Sequence, residues 1–239
     1  MKITYLGHSC FLISTGESVL LFDPFISGNE LVQEALDAAT DPKVKDSLQI
    51  NNIRCNYVLL SHGHEDHVAD AETILKNTGA TLISNFEITN WFAAKGIERV
   101  HPMNHGGSWK FDFGTVHYVN AIHTSSMPDG TYGGNPGGFV VKTPETTLYY
   151  AGDTALTYDM KLIGEIHKPQ VAFLPIGDNF TMGVDDAVRA ASFVGCNKII
   201  GMHYDTFGYI KLNHQKALDS FKQAGKELVL MKIGESIEL

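Results

Sequence analysis

Tyr57-Val58-Leu59-Leu60-Ser61-His62-Gly63-His64-Glu65-Asp66-His67 is the stretch on which the reading of this chain turns. Its first four residues form a short continuous apolar run, the pattern of a strand buried on both faces. The next seven place His62, His64, Asp66 and His67 within six positions, four metal-competent side chains at a spacing that packing does not require. Composition alone would generate a His-x-His-x-Asp-His arrangement in on the order of one such sequence in a thousand. In an extended segment His62 and His64 point the same way and can chelate one ion. Asp66 and His67, one helical turn on, face a neighbouring volume and can begin a second site. Gly63 permits the tight backbone path between them.

The same device recurs along the chain. Val19–Phe22 stops at Asp23-Pro24, Val116–Ile122 at His123, Leu148–Ala151 at Gly152-Asp153, and Lys198–Met202 at His203. Polar residues can simply mark where burial ends, but a series of strands ending in His or Asp argues for a gathered site. Between the runs lie helical patterns. Ala187, Ala190, Ala191 and Val194 keep helical spacing behind Asp185 and Asp186, and Ala217, Leu218, Phe221 and Ala224 repeat it between a cap at Asn213 and a stop at Gly225. Leu31–Ala39 and Glu87–Lys95 also read as helices. Strands come first, then strands alternating with helices, so the expected class is α/β.

The cluster supplies two ligands per ion, and a catalytic ion usually takes three from the protein. His123 and His203 are the candidates for the remaining places, and Asp153 can bridge because a carboxylate has two oxygens. His8, near the end of a short first strand, is a candidate substrate contact or a turn histidine. Asp23 is a turn residue or the carboxylate that fixes a ligand histidine's tautomer. Asp178 and Asn179 are candidates for a pocket wall. His101, His105, His117, His167 and His214 are assigned surface or structural roles, and Trp91 and Trp109 core or interface roles. Thr124–Gly138 reads as a glycine-rich connection, with a substrate loop as the alternative.

His-x-His-x-Asp-His, a later single His, a Gly-Asp and a final His after an apolar strand resemble the metallo-β-lactamase superfamily over nearly the whole chain. Gly7-His8-Ser9-Cys10-Phe11-Leu12, Phe22-Asp23-Pro24 and Pro175-Ile176-Gly177-Asp178-Asn179-Phe180-Thr181-Met182-Gly183 are similar to its ascorbate-6-phosphate lactonase-like branch. The resemblance implies a four-layer αββα sandwich, two mixed sheets flanked by helices, in a single domain over 1–239. It implies that His62, His64 and His123 hold one metal, that Asp66, His67 and His203 hold the other, and that Asp153 bridges. Cys196 stands seven residues before His203, which does not suit a thiolate ligand. Relatives are often oligomeric, so a homo-oligomer is possible by analogy alone, and the residues do not set the assembly state.

The expected activity is hydrolysis of a small ester, lactone or phosphoester by water shared between two divalent ions, zinc foremost, with manganese, iron or nickel compatible. Asp66 and His8 are the candidate catalytic groups. The alternatives are a phosphodiesterase or nuclease of the same superfamily, or a non-catalytic metal-binding module. A net charge of -9 over 239 residues lacks the basic footprint of a nucleic-acid binder. Three cysteines without a paired spacing suit a reducing compartment. No signal-peptide pattern and no run of about 20 apolar residues is found. Cytoplasmic placement and a small-molecule substrate are therefore expected.

Overall fold

The computed structural model describes all 239 residues, which group into two compact units. The first comprises Met1–Asn104, Ser125–Asn135 and Met231–Leu239, the second His105–Thr124 and Pro136–Leu230.

In the first unit the elements are β1 (Lys2–Gly7), β2 (Cys10–Thr15), β3 (Ser18–Phe22), α1 (Glu30–Ala38), α2 (Pro42–Ser47), β4 (Tyr57–Leu59), α3 (Glu65–Val68), α4 (Ala71–Thr78), β5 (Thr81–Asn85), α5 (Phe86–Ala94) and β6 (Val100–Met103). A C-terminal strand, Ser236–Glu238, completes a seven-stranded sheet as the neighbour of β1. From that strand to β3 the pairing is antiparallel, and from β3 through β4 and β5 to β6 it is parallel. Parallel neighbours need crossovers, and α3, α4 and α5 supply two of them. Asn29 caps α1, its side chain accepting from Leu31 N–H at 3.1 Å, so the helix starts one residue before the sequence reading. The core here is built from Leu6, Leu21, Val58, Leu60, Ile74, Leu82, Ile88 and Phe92.

The second unit holds β7 (Ser108–Phe111), β8 (Gly114–Asn120), β9 (Gly137–Lys142), β10 (Thr147–Tyr150), α6 (Asp159–His167), β11 (Val171–Pro175), α7 (Val184–Val194), β12 (Lys198–Met202), α8 (His214–Gln223) and β13 (Glu227–Val229). Its sheet runs β13-β12-β11-β10-β9-β8-β7, parallel from β10 to β13 and antiparallel from β7 to β10. β11 is buried throughout, and Leu148–Tyr150 and Ile199–Met202 are buried as well, as strands covered on both faces should be. Asn213 caps α8 by accepting from Lys216 N–H at 3.0 Å, and Gly225 follows the helix with φ +70°.

The structure differs from the sequence reading in several places. β8 stops at Asn120 rather than Ile122, because Ile122 N–H donates to Thr154 Oγ1 (3.0 Å) instead of continuing a ladder. Trp109 is no core residue. It is 55% exposed on the edge strand β7, whereas Trp91 is half-buried in α5 and donates Nε1–H to Asp129 Oδ2 at 2.8 Å. α2 and the C-terminal strand carry no periodicity long enough to have been read. No helix is long and apolar enough to cross a membrane.

In both units the parallel strands deliver polar residues at their carboxyl ends: Asp23 after β3, Ser61–His67 after β4, Asp153 after β10, Asp178 after β11 and His203 after β12. Side chains collect there because backbone ladders end while neighbouring strands still hold the chain in place.

Candidate metal centre

In the first unit the hub is the fully buried carboxylate of Asp23. Its Oδ1 accepts from Ser61 N–H at 2.8 Å, and its Oδ2 accepts from Ser61 Oγ–H at 2.5 Å and from His67 Nδ1–H at 2.8 Å. Asp23 N–H in turn donates to Leu59 O (3.1 Å), which locks the end of β3 to the end of β4. These bonds fix proton positions. With Nδ1–H given to Asp23, His67 keeps its lone pair on Nε2. Ser61 spends its only hydroxyl proton on Asp23, so its oxygen accepts from His62 Nδ1–H at 3.0 Å, and His62 likewise keeps its lone pair on Nε2. Of the two readings of Asp23, the hydrogen bond to a histidine is the one present, made with His67; Ser61, which extends the relay to His62, went unread because a serine after a strand is ordinary.

The donors are close. His62 Nε2 lies 3.0 Å from His64 Nδ1, and the His62 and His67 ring centroids are 4.1 Å apart. Asp23, His62 and His67 each offer an atom within 4.8 Å of the others. Two imidazole nitrogens on one tetrahedral ion at about 2.05 Å would be roughly 3.3 Å apart, so the His62–His64 spacing suits a shared cation. His64 precedes α3, and that single turn carries Asp66 to His8, whose Nε2 lies 3.2 Å from Asp66 Oδ2. His8 is buried and held at φ +55°, and Asp23 at φ +41°, a region that few non-glycine residues occupy, Asp and His more readily than most.

Gly63 is needed for packing rather than for an unusual φ. A Cβ there would meet Met127 Sδ at 2.6 Å, while Gly63 N–H donates to Ser125 Oγ at 3.0 Å. Residues 125–133 are thereby tied beneath the cluster, with Ser125 Oγ–H and Asn85 Nδ2 both donating to Gly133 O. Asp70, overlooked in the sequence, accepts from Ile26 N–H (2.6 Å), Ser27 N–H (2.9 Å) and the Ser27 hydroxyl, and so shapes the turn after Pro24.

In the second unit one carboxylate meets two imidazoles. Asp153 Oδ2 lies 3.0 Å from His203 Nε2 and 3.6 Å from His123 Nε2. Asp153 and His203 are buried and His123 is partly exposed; His203 shares the left-handed backbone, φ +55°. The same Asp153 oxygen lies near both rings. Gly177 has to be glycine, since a Cβ would stand 2.1 Å from His203 O.

Cysteine contributes nothing to these clusters. All three thiols are buried; burial pushes Cys55 up to about 11 and raises Cys10 and Cys196, so none is a thiolate at neutral pH. Cys196 Sγ donates to Lys198 O at 3.3 Å.

Residues 2–203 match the Beta-lactamase superfamily domain model. The chain belongs to the metallo-β-lactamase superfamily. A UPF0173 metal-dependent hydrolase of Christiangramia forsetii is 56% identical over 239 residues, covering all of both chains, and one of Methylacidiphilum infernorum is 52% identical over the same span. Among solved structures, the metallo hydrolase Igni18 of the archaeon Ignicoccus hospitalis is similar with a TM-score of 0.85 and 31% identity, over 99% of this chain and 97% of that one. The two mixed seven-stranded sheets with flanking helices match the αββα fold expected from sequence. The protein is a metal-dependent hydrolase of this superfamily, with a His/Asp cluster as the candidate metal site.

Proposed function

We propose that the chain is one functional domain over 1–239 holding two divalent ions, zinc foremost, and that it hydrolyses small esters, lactones or phosphoesters. His62, His64 and His123 would hold one ion and Asp66, His67 and His203 the other, with Asp153 bridging. The observation that carries this reading is the Asp23–Ser61 relay, which fixes the Nε2 lone pairs of two buried histidines, a device that serves a cation and has no use in a plain core. Bound divalent ions would lower the pKa of water and polarise the scissile carbonyl or phosphoryl oxygen.

The chain's own groups do the rest. Asp66, less buried than His8 and His67, orients the attacking water through a carboxylate oxygen, and His8 Nε2, 3.2 Å from Asp66 Oδ2, holds that carboxylate and passes a proton toward the leaving oxygen. Water adds its hydroxyl to the electrophilic centre and its proton to the departing oxygen. The family model extends from residue 2 to residue 203 and draws on both units, which supports a single functional domain. Buried, unpaired thiols fit a reducing compartment, and we assign the protein to the cytoplasm on that ground.

The test replaces His64 or Asp153 by Ala and measures bound metal by elemental analysis alongside an esterase, lactonase and phosphodiesterase screen. Loss of metal together with activity is expected. Folded variants with full metal content and full turnover would refute the assignment.

A further inference from the structure

The segments that carry the donors of the second unit, or that are hydrogen-bonded to those segments, bear exposed apolar side chains that metal binding does not call for. Ile122, immediately before His123, is 50% exposed, and its backbone is fixed by bonds to Thr154 Oγ1 and Ala155 N–H, each 3.0 Å. Phe180 is 50% and Tyr209 79% exposed, their ring centroids 6.1 Å apart at 75°, with exposed Phe207 on the same loop as Tyr209.

Both aromatic loops are anchored to the donors. Met182 N–H donates to Thr154 O (3.1 Å), next to Asp153, and Ile176 N–H donates to Met202 O (3.1 Å), next to His203. The loop carrying Phe207 and Tyr209 closes two residues past His203, where Asp205 N–H donates to Ile210 O at 2.8 Å. Phe180 is presented by two consecutive non-glycine residues in the left-handed region, Asp178 at φ +65° and Asn179 at φ +55°. Asp and Asn enter that region more readily than other side chains, and here they turn the chain so that Phe180 stands exposed. Single exposed apolar residues are commonplace, but several on loops tied to the segments of one donor cluster argue for a binding surface.

We propose that Ile122, Phe180 and Tyr209 form the specificity wall of the hydrolytic site, and that the substrate is an ester or lactone bearing an aromatic or bulky apolar group. The edge-to-face pair offers a substrate ring both a face and an edge, the arrangement aromatic contacts favour. This inference rests on the hydrolase reading of the same donors.

The test compares γ-phenyl-γ-butyrolactone with γ-butyrolactone in a pH-stat assay, using metal-replete wild type, Phe180→Ala, Tyr209→Ala and Tyr209→Phe. Wild type should prefer the phenyl lactone. Each alanine variant should raise KM for it by several-fold to about tenfold, a larger rise than for the unsubstituted lactone, and Tyr209→Phe should retain the wild-type preference. Equal losses on both lactones, or a wild-type preference for the smaller one, would overturn the wall. Saturation-transfer NMR of the phenyl lactone on chelator-treated protein separates this idea from the hydrolase reading. Binding lost in both alanine variants keeps the wall even if wild type hydrolyses neither lactone, and binding unaffected by them, or absent from wild type, removes it. A change of oligomeric state in the variants would reassign these side chains to a subunit contact and also overturn the proposal.

Discussion

Replacing Asp23 by Asn tests the relay at its centre. The carboxylate accepts three hydrogen bonds, two from Ser61 and one from His67, with no exposure to water. Asparagine keeps one acceptor oxygen, which can still serve Ser61 N–H, but it turns an NH2 toward His67 Nδ1–H and the Ser61 hydroxyl. Donor then faces donor. The least costly repair moves the His67 proton to Nε2, so that Nδ1 accepts from the new amide and Nε2 no longer offers its lone pair. Loss of such an outer carboxylate typically weakens metal binding 10- to 100-fold, or about 1.4–2.7 kcal/mol. In metal-free protein the change amounts to about one buried bond left poorly made, roughly 2 kcal/mol, or about 5 °C in Tm for a chain of this size. Competition titration against a chromogenic chelator gives the affinity, and calorimetry of the chelated protein gives the stability. If Asp23→Asn binds metal as tightly as wild type while remaining folded, the carboxylate does not set the histidine tautomers and the relay is wrong.

Further outcomes are expected elsewhere. Gly177→Ala places a carbon 2.1 Å from the His203 carbonyl oxygen with no rotamer to relieve it, so a loss of about 3 kcal/mol, read as a Tm drop of roughly 8 °C, should accompany reduced metal content. An unchanged Tm would show that the strand ends yield freely. Chelation of the wild type should lower Tm, because a ligand that binds only the folded chain stabilises it; a Tm indifferent to chelator and to added zinc would count against a resident metal. Burial, aided by His117 and Lys142, pushes His167 down from its ordinary 6.5 to about 4. A group depressed in the folded state favours folding above its unfolded value, so that share of stability is lost as pH falls from 6.5 through 4. In chelated protein, urea unfolding of His167→Asn should therefore decline less over that window than wild type, and parallel profiles would contradict this.

How much of this was legible beforehand follows from which interactions are local. Strand runs ending in His or Asp, the cap at Asn213 and the His-x-His-x-Asp-His segment depend on neighbours a few positions away, so the order of residues determined them, and with them the fold class and the candidate donors. Other features needed the folded chain. Asp23 and His67 meet across 44 positions, His8 and Asp66 across 58, and whether an ambiguous turn aspartate or histidine joins a site depends on where parallel strands end beside each other. The left-handed backbone at His8, Asp23 and His203, the glycine forced at position 177 and the exposed rings at Phe180 and Tyr209 arise the same way. Each results from steric and hydrogen-bonding demands between segments that only tertiary packing brings together, demands that leave no period and no composition bias in the sequence.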